Sequence, residues 1–259
     1  MALFNDGPIN RVEELAVYDS SLLETSIIEG IDVAAKIANA QDAIGAEILR
    51  FLLDNKSVDP VLGGVLSCRR RTVGVGDVVV TAELKRWHAL QTLHGVYGDA
   101  YGHQSNDRYQ WKWQEYKTLT GTAKARCMDI GIGLAADPVP RAQAPTVTTV
   151  AGSGVATTFY FAVSLVNAAG QEGLSSEVVM VNVAAAMQAL VRPSAPPGNA
   201  QGWNVYAGSG PGGLLRQNSE ALAISALWTQ PGLLSAGSTP GNGQAPTFYA
   251  VQNQVIRRG

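Results

Sequence analysis

The charge in this chain stops almost completely at a proline-rich seam running from Pro138 to Pro145. Residues 1–145 carry 15 Lys and Arg and 18 Asp and Glu. Residues 146–259 carry four Arg (Arg192, Arg216, Arg257, Arg258), three Glu (Glu172, Glu177, Glu220) and no Lys. A stretch so poor in charge has to be held by apolar burial and backbone pairing, whereas the charged stretch has the composition of solvated helices. At 259 residues there is room for two cores, since roughly 100–150 residues per domain is usual. The hydrophobic fraction of 46% argues against wholesale disorder, and a net charge of −2 argues against a general nucleic-acid coat or a membrane-surface protein.

Hydrophobic spacing divides the chain further. A helical pattern runs from about Ser21 to Asp54, with Leu23, Ile27, Ile31, Ala34, Ile37, Ile44, Ile48 and Phe51 expected on its buried face. Asp59-Pro60 and Gly63-Gly64 end it. An arm or hairpin follows over about 60–80, with Arg69, Arg70 and Arg71 at its tip. Thr81 is the expected N-cap of a second long helix, whose stripe is Leu84, Trp87, Leu90, Leu93, Tyr97 and Tyr101. The pattern continues through Tyr109, Trp113, Tyr116 and Leu119, with a break at Gly102 to Asp107 as the alternative, and helix signal returns from Thr122 to Ile130. Gly95, Gly98 and Gly102 lie on one face of a continuous helix, and each costs roughly 1 kcal/mol against alanine. A bare strip of this kind lets another backbone come close.

Beyond the seam the period becomes two. Thr146–Val150, Thr157–Asn167, Glu177–Val183, Met187–Arg192, Gly202–Ala207, Leu214–Asn218 and Ala223–Thr229 read as seven strands between Gly- and Pro-rich turns. That density of short strands is the pattern of an immunoglobulin- or fibronectin-like sandwich, fed by Phe159, Phe161, Trp203, Val205 and Tyr206. The expected fold is therefore multidomain α plus β. It comprises a helical bundle over 1–137, a linker over 138–145, an Ig-like β-sandwich over 146–237 and an extended tail over 238–259.

Catalytic signatures are missing from the sequence. There is no G-x-S-x-G elbow, P-loop, H-E-x-x-H or EF-hand loop. His88, His94 and His103 have no i, i+4 pair among them, and Cys68 and Cys127 have no metal-ligand spacing, so no metal, cofactor or catalytic residue is expected. The N-terminus, MALFNDGPINRVEEL, has acids where a signal peptide has bases. Apolar runs fall short of the roughly 18 residues a membrane helix needs. The expectation is a soluble, non-enzymatic protein made in the cytoplasm. Arg69–Arg71 offers a salt-sensitive contact with phosphate or an acidic surface, or else a solvated loop tip. Trp87, Tyr109, Trp113 and Tyr116, with the glycine strip, read as core packing plus a subunit interface.

The stretch ELKRWHALQTLHGVYGDAYGHQSNDRYQWKWQEYKTL, with GIGLAADPVPRA after it, resembles the helical head-to-tail connector (adaptor) proteins of tailed bacteriophages. The sequences FYFAVSLVNAAGQEGLSSEVVMVNV and GWNVYAGSGPGGLL are similar to the Ig- or fibronectin-like domains appended to many phage structural proteins. The resemblance implies a virion protein at the neck, forming a homo-oligomeric ring (a dodecamer by family analogy) around the DNA channel. Its implied partners are the portal protein, tail or neck proteins and, non-specifically, packaged DNA; no membrane is involved. It also implies a portal-anchoring segment in the tail, here Phe248, Tyr249, Val251, Val255, Ile256, Arg257 and Arg258. The alternatives are a tail-completion or decoration protein of the virion and, from a different class, a carbohydrate-binding module or hydrolase. For the last, any acid/base pair beyond the seam would have to come from Glu172, Glu177 and Glu220.

Overall fold

The computed structural model describes residues 1–54, 73–103 and 107–251. The chain is mixed α and β and divides into two compact units. One comprises residues 7–134 with 246–259, and the other comprises residues 1–6 with 135–245. The division thus falls just before the prolines of the seam, and the expected tail is split between the units at residue 245. Among the described residues no helix is long and apolar enough to cross a membrane.

The first unit is helical: α1 (Val12–Ala16), α2 (Leu22–Glu29), α3 (Val33–Asp54), α4 (Ala82–His103) and α5 (Gln110–Ile130). The single helix expected from Ser21 to Asp54 is two. Gly30 adopts a left-handed φ of 66°, and its N–H and that of Ile31 both donate to the Ser26 carbonyl. Glycine takes this conformation at no Cβ penalty and so terminates α2. Asp32 restarts the chain, its Oδ1 accepting the Ala35 N–H at 3.1 Å as an N-cap does. The break changes the helical phase. Leu23 and Ile27, expected in the core, face solvent, while Val33, Ile37, Ile44 and Ile48 are buried. Ala34, expected on the buried face, is exposed as well.

Thr81 does cap α4, accepting the Leu84 N–H at 3.3 Å. α4 ends at His103 and α5, which begins at Gln110, runs antiparallel beside it, so the two are not one continuous helix. Trp113 stacks on Tyr101 at 5.4 Å and on His94 at 6.2 Å, Tyr116 stacks on Tyr97 at 5.4 Å, and Arg126 reaches Glu83 at 3.0 Å. Residues 110–130 form one helix, so the signal at Thr122–Ile130 is its second half. Residues 55–72, which take in most of the expected arm over 60–80, lie outside the described part. Val75–Asp77 is a 3₁₀ turn, and Val78 and Val79 are buried, with the Val79 N–H donating to Gly133. A two-stranded antiparallel sheet completes the unit: β1 (Ile132–Leu134) pairs with β10 (Phe248–Ala250), Ile132 opposite Ala250 and Leu134 opposite Phe248.

The second unit carries the remaining strands. β2 (Thr146–Ala151), β5 (Met187–Arg192) and β9 (Trp228–Thr229) form one antiparallel sheet in the order β2-β5-β9. β3 (Thr157–Asn167), β4 (Val179–Val183), β6 (Ala200–Gly208) and β7 (Leu215–Arg216) form another in the order β4-β3-β6-β7, with β8 (Leu222–Ala223) also on β6. The seventh expected strand, Ala223–Thr229, therefore splits. Its start pairs with β6 and its end with β5. One core draws on both sheets, with Phe161, Val163 and Leu165 of β3, Trp203 and Val205 of β6, Val191 of β5 and Trp228 of β9. Phe159 packs at its margin. Tyr206, expected in this core, is buried on the opposite face of β6 with Ala162 and Leu214, because adjacent strand residues point to opposite sides.

Candidate functional site

A dense polar constellation among the described residues of the helical unit centres on Asp19, in the connection between α1 and α2. The local chain prepares it: the Ser21 N–H and hydroxyl both donate to Asp19 Oδ1, at 2.9 and 2.7 Å, a turn typical of Asp followed by Ser. Oδ2 then accepts three donors from the α4–α5 pair, Tyr97 Oη at 2.7 Å, Lys112 Nζ at 2.7 Å and Tyr116 Oη at 2.9 Å. Lys112 also donates to Ser21 Oγ at 2.6 Å and lies over the Tyr97 ring. Burial alone raises the pKa of a carboxyl. Here the hydrogen bonds from Lys112, Tyr97 and Ser21 outweigh burial and hold Asp19 far below the ordinary carboxylate range. Burial and then the Asp19 hydrogen bond push the Tyr116 phenol well above its usual value.

This arrangement is a poor proton-transfer device. A carboxylate with five donors and a very low proton affinity is a weak base, and its lysine partner is held charged, because its bonds to Asp19 and Tyr97 outweigh desolvation. What it does well is tie the α1–α2 connection to α4 and α5. A cleft of about 200 Å³ borders it, lined by Glu24, Ile28, Tyr97, Tyr109, Trp111 and Lys112 among others.

A second buried polar group, His88 of α4, is fully enclosed. Its Nδ1 accepts from Asn10 Nδ2 at 2.8 Å and its Nε2–H donates to the Ile37 carbonyl at 3.1 Å, which fixes one neutral tautomer. Burial lowers its pKa from 6.5 to about 4, against a smaller raising effect of the Ile37 bond. The unfolded chain therefore takes up a proton below pH 6.5 that the folded chain refuses until about pH 4. The contribution of His88 to stability is complete above that upper value and is lost as pH falls toward the lower one, at about 1.4 kcal/mol per pH unit. Urea midpoints measured at neutral and mildly acidic pH are expected to fall accordingly. His88→Gln is expected to flatten that slope, and an equal slope in the variant would remove His88 as its source.

The residues read as a subunit-interface helix are engaged within the chain. Trp87, Tyr109 and Tyr116 are buried, and Trp113 is half-buried between His94 and Tyr101. Two glycines of the strip face neighbours within the chain. A Cβ on Gly98 would lie 3.4 Å from Trp113 Nε1 and one on Gly95 would lie 3.7 Å from Lys36, while Gly102 has no neighbour within 4 Å among the described residues. Trp111, by contrast, is exposed.

Within the expected anchor, Phe248 is half-buried in β10 and Tyr249 and Val251 are exposed. Val255, Ile256, Arg257 and Arg258 lie outside the described residues, as do Arg69, Arg70 and Arg71. In the second unit Glu172 accepts hydrogen bonds from Ser164 and Tyr206, so it is tied to the outer face of β3 and β6. Among the described residues no group of three or more His, Cys, Asp or Glu converges as a metal site would. No protein-family model matches the chain, and a search of curated proteins finds no match to it.

Proposed function

We propose that this chain is a structural protein of a tailed-phage virion, a head-to-tail adaptor whose helical unit builds a ring at the neck between portal and tail. The observation that carries this reading is the pairing of β10 with β1. The segment leading into residues 252–259 is a strand of the helical unit, although the β unit intervenes in sequence. A ring-forming bundle that bears its own anchoring arm is what an adaptor needs, and the intervening unit is then free to act as an appendage.

That appendage is, on this proposal, an Ig- or fibronectin-like sandwich. Two antiparallel sheets share one core, and the order β3-β6-β7 matches the C-F-G sheet of such domains, with the B and E positions taken by β2 and β5. The departure is at the edge, where β9 flanks β5 on the side away from β2.

The test separates arm from fold. A cut before Phe248 would remove β10 and uncover the buried Ile132 and Leu134, so the informative truncation lies after Val251. The chain lacking residues 252–259 is expected to keep its circular dichroism and melting midpoint but to be lost from the necks of assembled particles. Normal incorporation of this truncated chain would rule out the anchor. Absence of the full chain from particle necks imaged by electron microscopy would rule out the adaptor.

A further inference from the structure

Two helices of the helical unit expose apolar stripes that are complementary to each other. On α2, Leu23 and Ile27 stand one turn apart, 47% and 80% exposed, with the exposed Glu24 beside them. On α3, Leu49 and Leu53 repeat that spacing at 41% and 45%, with the exposed Arg50 beside them. Ala35, Ala38 and Ala46 continue the α3 face as small exposed side chains, with one exposed acid, Asp42, among them. The α2 stripe is extended by Ile28 and Trp111, which are exposed and line the same cleft.

We propose that these stripes are the two halves of an interface between copies of this chain, α2 of one copy lying along α3 of the next. A helix that exposes large apolar residues one turn apart has an unburied stripe, and contiguous patches of that kind mark interaction surfaces. Ridges spaced four residues apart on both helices interdigitate, so Leu23 and Ile27 fill the grooves beside Leu49 and Leu53. The choice of a second copy as occupant rests on charge. Each stripe has one charged residue immediately after its first apolar anchor, Glu24 after Leu23 and Arg50 after Leu49, and the two are opposite in sign. Among the described residues Arg50 has one loose intrahelical contact, with Asp54 at 3.7 Å between strongly exposed side chains, a pair weak enough for a better-placed acid to replace.

Because the two stripes differ, the contact is heterologous. It propagates around a ring, or it is made twice across a two-fold axis. Closure into a ring rests on the adaptor reading; the interface itself does not.

The test is a charge exchange in the full chain, read by sedimentation and light scattering across a concentration series. Both positions are exposed, so Glu24→Arg and Arg50→Glu are expected to fold with unchanged melting midpoints. Each alone places like charges together and is expected to raise the association midpoint by about tenfold or more. An equimolar mixture of the two variants pairs every junction correctly again, as does the Glu24→Arg/Arg50→Glu double variant, and both are expected to associate like the wild type. Single variants that associate normally, or weakened ones that neither combination restores, overturn the interface. A wild-type chain that stays monomeric overturns it too. A discrete dimer that obeys the charge exchange keeps the interface and removes the ring.

Discussion

Asp19→Ala is expected to destabilise the helical unit by about 3–5 kcal/mol, the range for removing one partner of a buried ion pair. The loss comes from what stays behind. Lys112 keeps its charge in a largely enclosed position, and the Tyr97, Tyr116 and Ser21 hydroxyls lose their common acceptor. Asp19→Asn, which keeps the volume and one acceptor but no charge, is expected to lose less. Adding Lys112→Met to Asp19→Ala is expected to recover part of the loss, since the stranded ammonium is gone. Urea denaturation supplies the free energies. Ultraviolet titration supplies an independent readout, because burial first and then the bond to Asp19 push the Tyr116 phenol above its usual range, and the variant removes the second of these causes. A loss below about 1 kcal/mol would reduce the hub to an ordinary surface pair.

This hub was invisible to local pattern. Asp19 is separated from Tyr97, Lys112 and Tyr116 by 78, 93 and 97 residues, and no periodicity links a loop carboxylate to hydroxyls on two later helices. Where a signal repeats, as in the run of β-branched and aromatic residues from Thr157 to Asn167, the strand ends came out as read, and Phe161 lies in the core. Tyr206 shows the discipline that alternation demands. Placing both it and Val205 in one core contradicts the pleat, and the structure puts them on opposite faces. The α2–α3 break had a readable signal in Gly30 followed by Asp32, a stop and then a cap. It was masked because Ile27 and Ile31 are one helical turn apart across the break. The return of β10 to β1 joins segments on either side of the whole β unit, and such distant pairing leaves no trace in spacing.

Trp203→Ala is expected to produce the largest loss in the β unit, again about 3–5 kcal/mol, because a fully buried indole leaves a cavity the two sheets cannot close. Trp203 sits on β6 opposite Leu165 of β3 and Leu222 of β8, so its removal loosens three strands together. The indole N–H also donates to the Ala223 carbonyl at 3.0 Å, and that acceptor would be left without its partner. Trp203→Phe restores most of the volume and not the hydrogen bond, so it isolates the polar part at about 1 kcal/mol. Trp228, at the margin of the same core and edge-on to Phe161 at 6.1 Å, is expected to cost less than Trp203 on truncation, since neighbours at the rim can settle inward. Amide exchange in β3 and β6 reports the effect where it arises, and exchange in α4 and α5 shows whether the loss stays in the β unit. Equal destabilisation by Trp203→Ala and Trp203→Phe would mean that the hydrogen bond to Ala223, and not the packing of the two sheets, is what Trp203 contributes.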